Sequence, residues 1–252
     1  MTETPRPTIR VVDLETTGST LPAHRVCEIG WQDVVLGDDG WTMGASGATL
    51  VDPERPMPAV TSAVHHLTDE DVAGAPRWFQ VAPAVLGLGR ERGIVAFAAH
   101  RADFEQRWCT PAFTGGLPWI CTWKGALRVW PDAPSFSNQS LRYWRRPAGL
   151  DRARGLPAHR AGPDAYVTAH HLRDMLAVAP VDKLIGWNAE PGLLPRVPRG
   201  PDRGKRWSEL DKDTLRRELR DRDEDIRFSA AAELARRAGA GPAPAPAQAA
   251  LL

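Results

Sequence analysis

Apolar and polar positions along the first fifty residues resolve into short strands. Residues 8–14, "TIRVVDL", read as one strand, residues 24–36 with "VCEIGWQDVVL" as a second, and residues 41–51, "WTMGASGATLV", as a third. Asp38, Asp39 and Gly40 supply hairpin-turn chemistry between the last two. The Pro-rich "DPERPMP" ends this segment, and Thr68 before Asp69, Glu70 and Asp71 is a helix-start signal. Short helices follow, and "GIVAFAA" at 93–99 reads as a fourth strand leading through His100 into a helix at 102–109. Further helices are predicted at 122–129, 138–145 and 163–177, the last with Pro163 in its first turn. A mixed α/β order with a hairpin-rich start results.

From residue 179 the periodicity weakens into "EPGLLPRVPRGPDRGKR", a composition typical of a linker, so a first domain over 1–178 and a linker over 179–199 are expected. Residues 200–237 then read as a small, mainly helical module. Leu215 and Leu219 lie one turn apart, and Ile226, Phe228 and Leu234 are available to pack on Trp207 and Leu210. So small a core calls for docking on the main domain. The final stretch, 238–252, is Ala/Pro-rich and predicted disordered.

A chain of 252 residues has room for one sizeable core with an appendage or for two small domains. Its 42% hydrophobic and 25% charged residues are ordinary for a soluble globular protein. No apolar run approaches the roughly 20 residues of a membrane span, and "MTETPRPTIR" lacks the basic-then-apolar order of a signal peptide, so a cytoplasmic protein without membrane contact is expected. Cys27, Cys109 and Cys121 are odd in number and lack metal-ligand spacing, which argues for reduced, structural thiols. With a net charge of +1, contact with a polyanion must come from local basic patches. One such cluster is Arg142, Arg145 and Arg146 in "LRYWRR"; another is Arg196, Arg199, Arg203, Lys205 and Arg206, where glycines let the backbone approach a phosphate.

Chemistry concentrates in three acidic pieces. In "RVVDLETTG", Asp13 and Glu15 interrupt an apolar strand, and their spacing of two projects them on one face. Side-by-side carboxylates repel unless a cation sits between them, and oxygen-only ligation suits Mg²⁺ or Mn²⁺. Taken alone, the pair reads equally as a solvated strand end. In "AFAAHRADFEQRW", a strand delivers His100, Asp103 and Glu105; these acids also read as helix caps. In "AHRAGPDAYVTAHHL", His159 precedes Asp164 by five residues at a helix start, a position where capping histidines are common.

Their order together, "VVDLETTG", "AHRADFE" and "HRAGPDA", resembles the three motifs of the DEDDh 3′→5′ exonucleases. "VHHLTDEDV" is similar to that family's Ile-His-Gly-Ile-Thr segment, and "PWICTWKGALRVWPDAPSFSNQSL" to the stretch between the second and third motifs in bacterial exonuclease X. The resemblance covers residues 8–177, and "RGPDRGKRWSELDKDTLRREL" resembles the region C-terminal to the nuclease in exonuclease X-like proteins. One departure stands out. The family's second motif, His-Asn-Ala-x-Phe-Asp, laid over "HRADFE" puts Glu105 at the metal-site Asp and Arg101 at the Asn, with Asp103 at a variable position.

The resemblance implies a ribonuclease-H-like mixed five-stranded sheet flanked by helices. It implies that Asp13, Glu15, Glu105 and Asp164 bind two Mg²⁺ or Mn²⁺ ions, that His159 is the general base, and that Thr16, Thr17, His100 and Arg101 lie along the substrate. Asp103 remains the alternative to Glu105. The expected activity is hydrolysis of DNA from the 3′ end to nucleoside 5′-monophosphates. Trimming of RNA ends is the alternative, as is a weakened protein that binds ends or adapts them to a protein partner through the C-terminal module.

Overall fold

The computed structural model describes residues 5–87 and 93–239; the expected Ala/Pro-rich tail lies, beyond Gly239, outside them. Five strands, β1 (Thr8–Thr16), β2 (Val26–Gly37), β3 (Gly40–Leu50), β4 (Ile94–Ala99) and β5 (Trp119–Cys121), form a mixed sheet in the order β3-β2-β1-β4-β5. The first three are antiparallel, whereas β4 runs parallel to β1 and β5 parallel to β4. Gly37 pairs with Gly40 across Asp38 and Asp39, and Gly40 takes φ 109°, where a side chain would be strained. The hairpin therefore sits where its turn residues predict.

Helices cover both faces. The segments are α1 (Ala59–His65), α2 (Asp69–Val72), α3 (Trp78–Leu86), α4 (Pro111–Thr114), α5 (Thr122–Val129), α6 (Asn138–Arg145), α7 (Ala161–Leu176), α8 (Val181–Ala189), α9 (Lys212–Glu218) and α10 (Glu224–Arg237). Alternation along β1 assigns its residues to two cores. Val12 and Leu14 join Val81 and Leu86 of α3, whereas Ile9 and Val11 join Leu172 and Met175 of α7. Asp13 and Glu15 continue the second set, so they face the side on which α7 lies. At the start of α2 the Asp71 carboxylate accepts from the Thr68 N–H at 2.8 Å and hydroxyl at 2.9 Å, as the helix-start signal predicts.

The structure corrects two local expectations. Residues 102–109 form turns with a single 3₁₀ turn at Glu105–Arg107 instead of an α-helix. Ala102, Glu105 and Trp108 are all buried, a spacing of three that matches the 3₁₀ period. Residues 181–189, expected inside a linker, form α8, which buries Leu184 and packs on β5 and α5.

The C-terminal segment builds a separate small core from Val197, Trp207, Leu210, Leu215, Ile226 and Ala230, with Leu234 against it. Phe228, expected in that core, instead faces Trp187, Leu193 and Arg128. Docking on the nuclease side is also carried by Arg206 to Asp132 at 2.8 Å, and α5 is tied to the chain after α8 by Arg128 to Glu190 at 2.6 Å. No helix among the described residues is long and apolar enough to cross a membrane.

Candidate active site

At the C-terminal end of β1, Asp13, Glu15 and Asp164 bring one carboxylate oxygen each to within 4.8 Å of one another. Asp13 and Glu15 come from alternate positions of β1, and Asp164 from the first turn of α7. The close approach of α7 to the sheet depends on Gly30, the register partner of Asp13. A Cβ there would run into the Ala161 and Gly162 backbone.

Burial pushes the Asp13 carboxyl well above the usual carboxylate range, and the charges of Asp164, Glu15, Glu105 and Glu28 push it further. Burial, then Asp164 and Glu28, raise Glu15 to about 8, with Arg160 opposing. Glu105 is also held well above its ordinary value, first by burial. These carboxylates are assembled against their own repulsion and desolvation, and among the described residues Asp13, Glu15 and Asp164 form no salt bridge. An all-oxygen set of this kind is what a hard divalent cation requires. The residues present fit such an ion.

Of the second-motif acids, Glu105 is 3% exposed and its Oε2 has no hydrogen-bond partner among the described residues, whereas Asp103 is exposed. Glu105 does not join the 4.8 Å group, although its charge reaches Asp13. His159 is exposed with φ 59°, and its backbone N–H donates to Asp164 Oδ2 at 2.6 Å. Imidazole and carboxylate therefore share one tight turn.

Several candidate substrate contacts are committed elsewhere. His100 uses both ring nitrogens internally: Nε2 donates to the Phe136 carbonyl at 2.8 Å, which leaves Nδ1 to accept from the Thr122 hydroxyl at 3.0 Å. Burial lowers its pKa to about 4, so it is a neutral strut between β4 and the loop before α6. The Thr16 hydroxyl donates to the Gly18 carbonyl at 2.8 Å, and that of Thr17 accepts from the Arg25 N–H at 3.0 Å; both shape the loop leaving β1. Arg142 is 4% exposed and donates to the carbonyls of Gly155 and Arg152, so it is a buried clamp on the loop that carries His159. Arg145 pairs with Asp174 at 2.8 Å and lies over Trp130. Neither is the phosphate contact that "LRYWRR" suggests; Arg146 is exposed.

Sequence patterns missed the residues that hold Asp164. Gln139 Nε2 donates to its Oδ1 at 2.6 Å, and Asn138 Nδ2 to the same oxygen at 3.3 Å. Arg142 donates to Gln139 Oε1 at 3.2 Å, which turns the amide nitrogen toward the carboxylate. Glu28, 3% exposed, accepts from Arg160 Nη2 at 2.6 Å and Nε at 3.0 Å and from the Ala161 N–H at 2.9 Å. It pins the start of α7 between His159 and Asp164. Glu28 carried a signal, a carboxylate within the apolar run "VCEIG"; Asn138 and Gln139 carried none beyond a helix start.

The family model for the RNase T exonucleases matches residues 11–172. The chain is 32% identical over 210 residues to exodeoxyribonuclease 10 of Escherichia coli strain K12, an alignment that covers 80% of this chain and 84% of that protein. Among solved structures it resembles exonuclease X in complex with 5′-overhanging duplex DNA, at a TM-score of 0.59 and 30% identity over 71% of this chain and 98% of the other. Exonuclease I shares the fold at a TM-score of 0.56 and 13% identity, over 88% of this chain and 61% of the other. The motif spacing, the mixed five-stranded sheet, the acidic cluster and these likenesses agree: the chain belongs to the DEDDh exonuclease family.

Proposed function

We propose that this protein is a metal-dependent exonuclease that shortens DNA from the 3′ end and releases nucleoside 5′-monophosphates. The observation that carries the reading is the convergence of Asp13, Glu15 and Asp164 at the end of β1, with buried Glu105 close enough to raise the pKa of Asp13. The likeness to an exodeoxyribonuclease over 84% of that protein's length favours DNA over RNA.

Asp13, Glu15, Asp164 and Glu105 would hold two Mg²⁺ or Mn²⁺ ions, which when bound neutralise charge on the scissile phosphate and lower the pKa of water. The protein's own contribution is positional. Gln139 and Asn138 orient Asp164, and Glu28 with Arg160 fixes the turn from which both His159 and Asp164 project. Exposed His159 would accept the proton of the attacking water, a step for which general bases typically contribute about 10² to 10⁴-fold. Protonated carboxyls in a cation-free site would give way to ligating carboxylates as ions enter, so activity rises with pH through the range in which Glu15 titrates.

A gel assay tests the reading, with single-stranded DNA and RNA of one sequence labelled at either end and incubated with Mg²⁺, Mn²⁺ or EDTA. Expected is a one-nucleotide ladder from 5′-labelled DNA, immediate loss of label as mononucleotide from 3′-labelled DNA, and neither in EDTA. His159→Ala should slow the ladder by about 10² to 10⁴-fold. Preferential shortening of RNA would move the substrate class, and release of label first from the 5′ end would overturn the polarity.

A further inference from the structure

A cleft of about 640 Å³ lies between the nuclease domain and the C-terminal module, lined by Arg101, Trp123, Phe136 and Asn138 on one side and Leu194, Arg196 and Arg203 on the other. It touches the acidic site through Asn138, whose Nδ2 donates to Asp164 while its Oδ1 is buried without a partner among the described residues. The floor is apolar, and among the described residues no carboxylate lines it.

Within the basic segment 196–206, charge pairing sets apart the cations that face this cleft. Arg199 is held by Asp221 and Asp223, Lys205 by Asp202, Arg206 by Asp132, Arg216 by Asp213 and Arg217 by Glu218. Arg101, Arg196 and Arg203 form no ion pair among the described residues, and all three face the cleft. Arg196 donates to the Gly204 carbonyl, which fixes its reach along the loop closed by the Gly204-to-Val197 backbone bond. Arg101, held at φ 74°, stacks its guanidinium 3.4 Å from the Trp123 ring centroid and is itself exposed. A planar cation on an aromatic face is a surface on which a nucleobase stacks.

We propose that this cleft is the track for the single strand leading into the acidic site, with Arg196 and Arg203 on backbone phosphates and the Arg101–Trp123 pair under a base. The proposal deepens the nuclease reading and rests on it for the identity of the strand. Of the five cations in residues 196–206, only Arg196 and Arg203 then serve the nucleic acid, whereas Arg199, Lys205 and Arg206 are held in salt bridges.

The test is binding of a 5′-fluorescein-labelled single-stranded 30-mer DNA, followed by anisotropy in EDTA between 50 and 200 mM salt. Each phosphate contact on a single strand contributes about 0.7 to the slope of log affinity against log salt. Arg196→Ala/Arg203→Ala should therefore flatten the slope by about 1.4, so that the fourfold rise in salt weakens the parent about 7-fold more than the variant. Arg216→Ala/Arg217→Ala removes the same charge from the same module and should leave the slope unchanged. Melting temperatures of both variants verify folding. Equal flattening by both pairs would reduce the effect to a general field, and no flattening by either would leave the strand elsewhere; each result overturns the proposal. Because binding is read without cleavage, a parent that cuts DNA but shows no Arg196/Arg203 effect refutes the track alone. A parent that shows the effect and does not cut refutes the nuclease reading alone.

Discussion

Replacing Glu28 by Gln is the sharpest perturbation of the site that leaves every proposed metal ligand and the general base in place. Glu28 accepts three hydrogen bonds, at 2.6, 3.0 and 2.9 Å, from Arg160 and the first backbone N–H of α7. Glutamine keeps the volume and one acceptor oxygen, but its amide nitrogen meets a guanidinium that also donates. Hydrogen bonds to charged groups contribute about 1.5–3 kcal/mol. The Arg160 side chain is 31% exposed, so water meets part of the loss, which places the cost near the lower end, about 2 kcal/mol. For a chain of this size that lowers the melting temperature by about 4–8 °C. Function should suffer more than stability, because the released turn carries His159 and Asp164, and a displacement of about 1 Å in such groups costs roughly 100-fold. Scanning calorimetry and steady-state cleavage of a labelled oligonucleotide, with kcat and KM separated, read both effects. The expected outcome is a kcat lowered about 100-fold with KM little changed. A variant melting within about 1 °C of the parent, with kcat within about twofold, would refute the pinning role assigned to Glu28.

Asp13→Asn should abolish cleavage while melting in EDTA at or above the parent temperature, since it removes a carboxylate held against burial and repulsion. Asp164→Ala should also abolish cleavage but melt lower, because Gln139 and the His159 N–H lose their acceptor; calorimetry of the pair separates the two. In the second motif, Glu105→Gln should cripple cleavage and exposed Asp103→Asn should be mild, with the reverse ranking in a rate assay exchanging their roles. The folded-state pKa of Glu15 is raised from 4.5 to about 8, so between those values the native state binds more protons than the unfolded chain. Stability in EDTA should fall as pH rises through that window, and the melting shift produced by Mn²⁺ should grow over it. A shift independent of pH would contradict the burial-and-repulsion account.

Much of this site was legible because period-two alternation places Asp13 and Glu15 on one face whatever surrounds them. The hairpin followed from Asp38, Asp39 and Gly40, and α7 from its apolar spacing. What stayed hidden involved either short elements or pairing at a distance. The three residues of β5 are too few to show a period, and Gly186 and Asn188 obscure α8 within a run of linker composition. Nothing local distinguishes Arg142, a buried clamp, from Arg146, its exposed neighbour; only the carbonyls of Arg152 and Gly155 do. The same holds for the basic run of the C-terminal module, where acids from Asp132 to Asp223 decide which cations remain unpaired.

The central claim is that the acids at the end of β1 hold cations that drive hydrolysis from a 3′ end. Its most direct test is chromatographic identification of the first product released from single-stranded DNA, by the parent and by Asp13→Asn, with Mg²⁺ and with EDTA. The account predicts nucleoside 5′-monophosphate of the 3′-terminal base from the parent with Mg²⁺ alone. Mononucleotide release by Asp13→Asn at the parent rate, release in EDTA, or a first product bearing a 3′-phosphate would contradict it.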